Sequence, residues 1–238
     1  MSSDSLLLLA GTAGVVGLVH TLVGPDHYLP FIVLSKARKW NTLKTAVITI
    51  LCGLGHVMSS VVLGLAGIAL GAAVFKLEKI ESLRGDIAGW LFLVFGFTYF
   101  IWGLHRAYKL KVHEHEHTHE DGSLHLHAHS HAGGHAHAGG SDLKKMTPWV
   151  LFIVFVFGPC EPLIPLVMYP AATKQGFFSV FVVAGVFGLA TIGTMLAIVL
   201  MAVAGLSKLP MDKLERYSHA LAGLAVLICG IAIKAFGL

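Results

Sequence analysis

The apolar positions of the chain form six long segments that are separated by short polar connections. They cover approximately residues 6–24, 45–75, 87–105, 148–172, 177–206 and 217–236. A helix needs about 20 mainly apolar residues to cross the hydrocarbon core of a bilayer. Each segment therefore predicts a transmembrane helix, and the pattern as a whole predicts an all-α integral membrane protein with six transmembrane helices.

The two longest charge-free runs occupy equivalent places in the two halves of the chain. They lie between Lys44 and Lys76 and between Lys174 and Lys208. As straight helices both would be longer than the bilayer core, so we expect each to tilt, break or protrude.

The segments that precede these runs begin with similar sequences, GPDHYLPFIVL at 24–34 and GPCEPLIPLVM at 158–168. Proline cannot donate a helical hydrogen bond, so we expect broken helices at these Gly-Pro motifs. The predicted helix-break residues are Gly24, Pro25, Gly158 and Pro159. Three spans per half would place the halves in opposite orientations, a plan that recurs in secondary transporters. We therefore predict two inverted three-helix repeats at 1–108 and 147–238, with a histidine-rich disordered loop at 109–146.

Composition agrees with a membrane protein, because hydrophobic residues make up 55% of the chain, charged residues only 13%, and the mean hydropathy is +0.77. Basic residues follow the membrane topology, so we expect no nucleic-acid partner despite the net charge of +4. The first, third and fifth connections carry twelve basic residues and the opposite side five. This asymmetry predicts a multi-pass protein of the inner cell membrane, with both termini outside and the histidine-rich loop in the cytoplasm.

The loop between the halves holds ten of the fifteen histidines of the chain. Imidazole suits Zn, Cu, Ni and Co, so a tract of this kind can collect metal ions without folding. The alternative is a solvated spacer. The predicted loop ligands are His113, His115, His117, His119, His125, His127, His129, His131, His135 and His137.

Ionisable residues inside the apolar segments form a second candidate metal site. His20 and His27 would stand about 10 Å apart along an unbroken helix, and the break at the first Gly-Pro motif would bring them together with Asp26. Ionisable residues within membrane spans are functional by default, although a self-satisfied polar cluster is the alternative. His56 lies in the second segment, and the second motif supplies two further donors. The predicted intramembrane ligands are His20, Asp26, His27, His56, Cys160 and Glu161.

The stretches HTLVGPDHYLPF and GLGHVMSSVV, followed by a histidine-rich loop, resemble the nickel/cobalt transporter and efflux families and the related urease-accessory and sulfite-exporter-like membrane proteins. This resemblance implies metal ligation by His20, Asp26, His27 and His56. We therefore expect a transporter rather than an enzyme, which moves nickel, cobalt, zinc or copper as its substrate, most simply outward. No organic cofactor is expected. The expected partners are the lipid bilayer, the metal ion and a cytosolic metal carrier.

Three other functions are consistent with the sequence. GPCEPLIPLVMYP is similar to the Pro-Cys motif of membrane thiol-disulfide carriers of the cytochrome c biogenesis type. Because Cys160 aligns with Asp26 in the other half, and Cys52 and Cys229 lie in other segments, we rank electron transfer below metal transport. Half-helix N-termini favour a sulfite or organic-anion exporter, against which the acidic residues argue. A metal-binding accessory protein that transports nothing is the third alternative.

Overall fold

The computed structural model of the chain describes residues 3–109, 113–118, 124–129, 139–172, 177–206 and 215–236, with side chains at 4–109, 147–170, 177–206 and 215–236. The helices of the first half are α1 (Ser3–Val23), a 3-10 turn (Pro25–His27), α2 (Leu29–Ala37), α3 (Thr42–Ala69) and α4 (Val74–Lys109). Those of the second half are α5 (Gly139–Phe157), α6 (Leu163–Ala172), α7 (Phe177–Leu206) and α8 (Ser218–Phe236). Between the halves, β1 (His113–Thr118) and β2 (Leu124–His129) pair antiparallel.

Five helices of the described residues, α1, α3, α4, α7 and α8, are long and apolar enough to cross a membrane. The membrane-spanning part of the chain is thus all-α and multi-pass, and the described residues form five full-length spans where the sequence pattern predicts six. The difference arises in the fourth apolar segment, where Gly158, Pro159 and Pro162 interrupt the helix. The pieces that remain are an apolar helix over Thr147–Phe157 and the ten-residue α6.

The third span begins well before its predicted start at residue 87. The preceding helix, α3, ends at Ala69, and Gly71 turns the chain with a positive φ of 62° that glycine adopts without strain. Helix α4 then starts at Val74 and runs for 36 residues. Its first turns therefore carry charged residues that the hydropathy pattern assigns to a connection, and these prove important for the site.

Glycines spaced by seven residues allow α4 and α8 to pack closely. Gly96 and Gly103 of α4 meet Leu227 and Ala220 of α8, and Gly223 of α8 meets the backbone of α4 in return. The contacts run in opposite directions along the two helices, so the pair is antiparallel. A β-carbon at any of these glycines would overlap the backbone of the facing helix, so the small residues set this interface.

The remaining helices surround the two interruptions. Helix α1 packs on α7, and α3 packs on α5, α6 and α7. Gly55 of α3 meets Phe152 and Val156 near the end of α5. The turn after α1 contacts α2 and α8. This arrangement brings the two Gly-Pro motifs to α3 in the interior of the protein.

Candidate functional site

The first Gly-Pro motif ends α1 and redirects the chain through a single 3-10 turn. The backbone N–H of Gly24 still bonds to the carbonyl of His20, but Pro25 has no N–H to continue the ladder. The N–H groups of His27 and Tyr28 bond instead to the carbonyls of Gly24 and Pro25. A β-carbon at Gly24 would lie only 2.5 Å from Nδ1 of His27, so the small residue allows the histidine to fold back over its own turn.

This turn brings three histidines together. His20 comes from the last turn of α1, His27 from the 3-10 turn and His56 from the middle of α3. One ring nitrogen from each lies within 4.8 Å of the others, and Nε2 of His27 is 3.3 Å from Nε2 of His56. His27 and His56 are buried, at 3% exposure each. The structure therefore places three of the predicted ligands at one point, which we call the histidine triad.

Contacts on the far side of the His27 ring fix its direction. Its Nδ1 is 3.1 Å from the carbonyl oxygen of Gly24 and 3.3 Å from Oδ1 of Asp26. A histidine whose Nδ1–H donates to an oxygen presents Nε2 as an acceptor or ligand atom. Asp26 thus contacts the ring of His27 on the side that faces away from His56. Its carboxylate oxygens are not among the ligand atoms that converge within the triad.

The second Gly-Pro motif lies against the same centre. Gly158 follows the end of α5, and a β-carbon there would lie 3.0 Å from Nδ1 of His56. Cys160 is fully buried, and its Sγ is 3.8 Å from Nε2 of His20. The two broken helices therefore supply adjacent polar groups, an imidazole from one half and a thiol from the other.

Glu161 occupies a different position from its neighbour Cys160. It is exposed, and it lines a cavity of about 460 Å³ whose other walls include His20, His27 and Pro159. Its carboxylate is not among the converging ligand atoms of the described residues. The cavity instead connects this exposed carboxylate with the edge of the histidine triad.

Sequence reasoning missed two residues of α4 that hold the second break in place. Glu81 is fully buried, accepts a hydrogen bond from the backbone N–H of Cys160 at 3.2 Å, and pairs with Arg84 at 2.5 Å. Arg84 also donates to the hydroxyl of Ser59 and to the carbonyl oxygens of Val156 and Gly158. The i, i+3 spacing of an acid and a base before an apolar run was the available signal, but it lay outside the predicted span.

The side chains of the histidine-rich loop lie outside the described residues, and so does the predicted ligand set there. The backbone pairing of β1 and β2 sets His113 opposite His129, His115 opposite His127 and His117 opposite His125. Collection of metal by this loop stays a prediction.

Comparison with protein families gives a match over residues 10–232 to the family described as cytochrome c biogenesis protein transmembrane region. The chain belongs to this family. The match covers nearly the whole sequence, both Gly-Pro motifs and every residue of the histidine triad. Comparison with curated proteins and with solved structures gives no match.

Membership in the cytochrome c biogenesis family corrects the resemblance drawn from the short motifs. The assignment to the nickel/cobalt transporter and efflux families was wrong, because it rested on two short histidine motifs, whereas the family match spans residues 10–232. The family supports a membrane thiol-disulfide electron carrier, the function that the sequence analysis ranked below metal transport. Metal transport has no support from these comparisons.

Proposed function

We propose that this protein is a membrane thiol-disulfide electron carrier in which Cys160 is the exchanging thiol. The observation that carries the proposal is the position of Cys160 at a helix break, with its Sγ 3.8 Å from Nε2 of His20. Exchange requires a thiolate, and a neighbouring imidazole can accept the thiol proton. Cys52 and Cys229 are also free thiols, but they lie within the continuous helices α3 and α8, in the apolar core.

One cysteine is sufficient for a balanced two-electron relay between two partner proteins. The Cys160 thiolate attacks a disulfide of an acceptor protein, which forms a mixed disulfide and releases one acceptor thiol. A thiol of a dithiol donor protein then attacks Sγ of Cys160 and releases the second acceptor thiol. The second donor thiol closes the donor disulfide and returns Cys160 to the thiol. Two electrons and two protons pass from donor to acceptor, with His20 holding the proton of Cys160 between steps.

Access to Cys160 requires the break to open, because its side chain has no exposed surface. The 460 Å³ cavity beside His20 and Pro159 reaches the neighbouring residue Glu161. Separation of α1 from the α5–α6 break would extend this cavity to the thiol. Burial of a reactive thiol between turnovers also protects it from oxidation.

The test uses proteoliposomes that enclose a disulfide-bonded reporter protein, with a reduced dithiol protein outside. We expect reporter reduction by wild type, loss of that reduction in Cys160→Ser, and near-normal rates in the matched Cys52→Ala and Cys229→Ala variants. A mixed disulfide at Cys160 should be trapped when the dithiol protein lacks its second cysteine. Undiminished reduction by Cys160→Ser would refute the role of this thiol.

A second candidate function, binding of a transition-metal ion, is favoured by the geometry of the histidine triad. Two nitrogens that bind one zinc ion at about 2.05 Å in tetrahedral geometry lie about 3.3 Å apart. The Nε2 atoms of His27 and His56 are 3.3 Å apart. A nitrogen and a thiolate sulfur on such an ion lie about 3.6 Å apart, close to the 3.8 Å between His20 and Cys160. Zinc or copper would suit this donor set.

Metal binding and thiol exchange can be separated by experiment. Purified protein is loaded with zinc or Cu(I), and the bound metal is counted by mass spectrometry. His27→Ala and His56→Ala should lose about one equivalent of metal, whereas His105→Ala, an exposed histidine on α4, should keep it. Cys160→Ser should abolish exchange but retain bound metal through the three imidazoles. Equal metal content in all variants would exclude this second function.

We also infer that the two halves of the protein are inverted structural repeats. The helix contacts support this, because three kinds of contact recur when the halves are exchanged. Helix α1 packs on α7 as α5 packs on α3, α2 packs on α7 as α6 packs on α3, and α2 packs on α8 as α6 packs on α4. The antiparallel pair of α4 and α8 would then lie on the pseudo-symmetry axis.

The proposed orientation places the α2–α3 connection, the end of α4 and the start of α8 in the cytoplasm. Three contacts support a common side for these segments: Lys39 pairs with Glu215, Arg216 bonds to the carbonyl of Ala107, and Lys36 bonds to the carbonyl of Leu206. The excess of basic residues on this side supports a cytoplasmic position for it. Both termini would then face outward.

A further inference from the structure

A basic cavity lies at the end of the protein opposite the start of α4, away from the histidine triad. It has a volume of about 460 Å³ and is formed where the α2–α3 connection, the end of α4 and the start of α8 meet. Arg38, Lys39, Lys44 and Arg106 line it, together with Trp40. Four cationic side chains that converge on one cavity create a strongly positive local potential.

Most of this charge is not neutralised by carboxylates of the described residues. Lys39 pairs with Glu215. Over the described part of the chain, no carboxylate lies within 4.0 Å of the charged nitrogens of Arg38, Lys44 or Arg106. Nε and Nη2 of Arg38 are buried and have no hydrogen-bond partner among the described residues. Buried donors without an acceptor destabilise the fold, so these atoms favour an anionic ligand that supplies oxygens.

Aromatic side chains hold the two guanidinium groups in place. The guanidinium carbon of Arg38 lies 5.0 Å from the ring centre of Tyr99 and 5.3 Å from that of Trp102. The guanidinium of Arg106 lies 5.6 Å from the ring centre of Trp102. A guanidinium carries its N–H donors in one plane, where their spacing matches two oxygens of a phosphate.

We propose that this cavity binds a phosphate group, carried by an anionic lipid headgroup or by a soluble phosphate compound. Tyr and Trp are enriched at headgroup depth in membrane proteins, and basic pockets between transmembrane helices bind phosphorylated headgroups. The proposal is independent of the thiol chemistry, because none of the cavity residues belongs to either helix break or to the histidine triad.

The test measures binding by native mass spectrometry of the full-length protein released from detergent, with phosphatidylglycerol, phosphatidylcholine or inorganic phosphate added separately. We expect phosphatidylglycerol to bind more tightly than phosphatidylcholine if the ligand is a lipid, and inorganic phosphate to compete if it is soluble. Arg38→Gln and Arg106→Gln should each weaken binding by about tenfold, which is typical for loss of a charged hydrogen bond. Lys76→Gln, an exposed charge at the other end of α4, should bind as wild type does.

Arg38→Lys keeps the proposal testable if the glutamine variants fail to fold. It keeps the positive charge but lacks the planar guanidinium. It should fold as wild type does and still bind more weakly. The proposal would be overturned if Arg38→Lys bound each probe as tightly as wild type does. It would also be overturned if wild type bound phosphatidylcholine as tightly as phosphatidylglycerol and inorganic phosphate did not compete.

Discussion

At the scale of single residues, the most consequential contact is the buried ion pair of Glu81 and Arg84. Glu81 holds the backbone N–H of Cys160, while Arg84 contacts carbonyl oxygens at the end of α5. These backbone groups have no helical partner, because Pro159 and Pro162 interrupt the ladder. The pair therefore supplies hydrogen-bond partners to the backbone groups at the helix break, and in this way it holds Cys160 in place.

Removal of one partner should strongly destabilise the protein, because it leaves the other charge buried and alone. Arg84→Gln is expected to lower the free energy of unfolding by about 3–5 kcal/mol. Asp86→Asn is the matched control, since Asp86 is 64% exposed in its pair with Lys234 and exposed pairs contribute about 0–1 kcal/mol. Unfolding in detergent measures the stability of both variants. Equal losses of stability would contradict the role of Arg84 as the partner of the buried Glu81.

The exposed pair of Lys39 and Glu215 gives a prediction about pH. The hydrogen bond from Lys39, together with its charge, lowers the pKa of Glu215 below its ordinary value. The contribution of this pair to the stability of the fold is therefore complete above the unfolded pKa of a glutamate, about 4.3. It is lost as the pH falls through the lowered pKa of Glu215 in the folded protein. Glu215→Gln should reduce the melting temperature at pH 7, and the difference from wild type should vanish in strong acid and shrink in high salt.

At the scale of elements, glycine has two separate uses in this protein. Gly24 and Gly158 lie at the helix breaks, where each packs against a ring of the histidine triad. Gly96, Gly103 and Gly223 lie within unbroken helices, where they allow α4 and α8 to approach. In a membrane, helix association depends on such close packing, because lipid and apolar side chains are equally hydrophobic.

A single added methyl group should distinguish packed glycines from open ones. Gly96→Ala is expected to cost about 1–3 kcal/mol through overlap with the backbone of Leu227. Gly193→Ala lies in the middle of α7, where the new carbon would have no described atom within 4 Å apart from its own helix backbone, so it should be neutral or stabilising by up to about 1 kcal/mol. Unfolding of both variants in the same detergent measures the difference, and a neutral Gly96→Ala would refute the close contact.

At the scale of the whole molecule, the proposed orientation places the two ends of α3 on opposite sides of the membrane. Helix α3 has 28 residues, or about 42 Å, which exceeds a hydrocarbon core of about 30 Å. Leu43 at its start is 73% exposed, and Leu70 beyond its end is 83% exposed. The two positions therefore report opposite sides of the membrane.

Labelling with a membrane-impermeant maleimide tests that orientation. The native cysteines are first replaced by alanine, and Leu43→Cys or Leu70→Cys is then added. In intact cells we expect label only on the Leu70→Cys variant, with the Leu43→Cys variant reacting after the membrane is opened. Label on the Leu43→Cys variant in intact cells would reverse the proposed topology.

The sequence by itself determined the membrane class and the positions of the interruptions. Hydropathy reports burial in lipid directly, and proline removes a hydrogen-bond donor whatever surrounds it, so Pro25 and Pro159 could be interpreted locally. The polar residues within the spans could be selected for the same reason, because ionisable groups in lipid are costly. Short motifs were insufficient for the family, which the match over residues 10–232 decided.

Only the tertiary structure decided which polar groups meet. His56 lies 29 residues beyond His27, and their contact depends on how α3 packs beside the first break. Glu161 and Cys160 are adjacent in sequence, yet one is exposed and the other is buried beside His20. Glu81 joined the site because α4 begins three turns before its apolar core. Contacts between helices that are distant in sequence leave no pattern that can be recognised in a single sequence. Burial of a helix in lipid, by contrast, requires a long apolar segment, and such a segment is visible in the sequence.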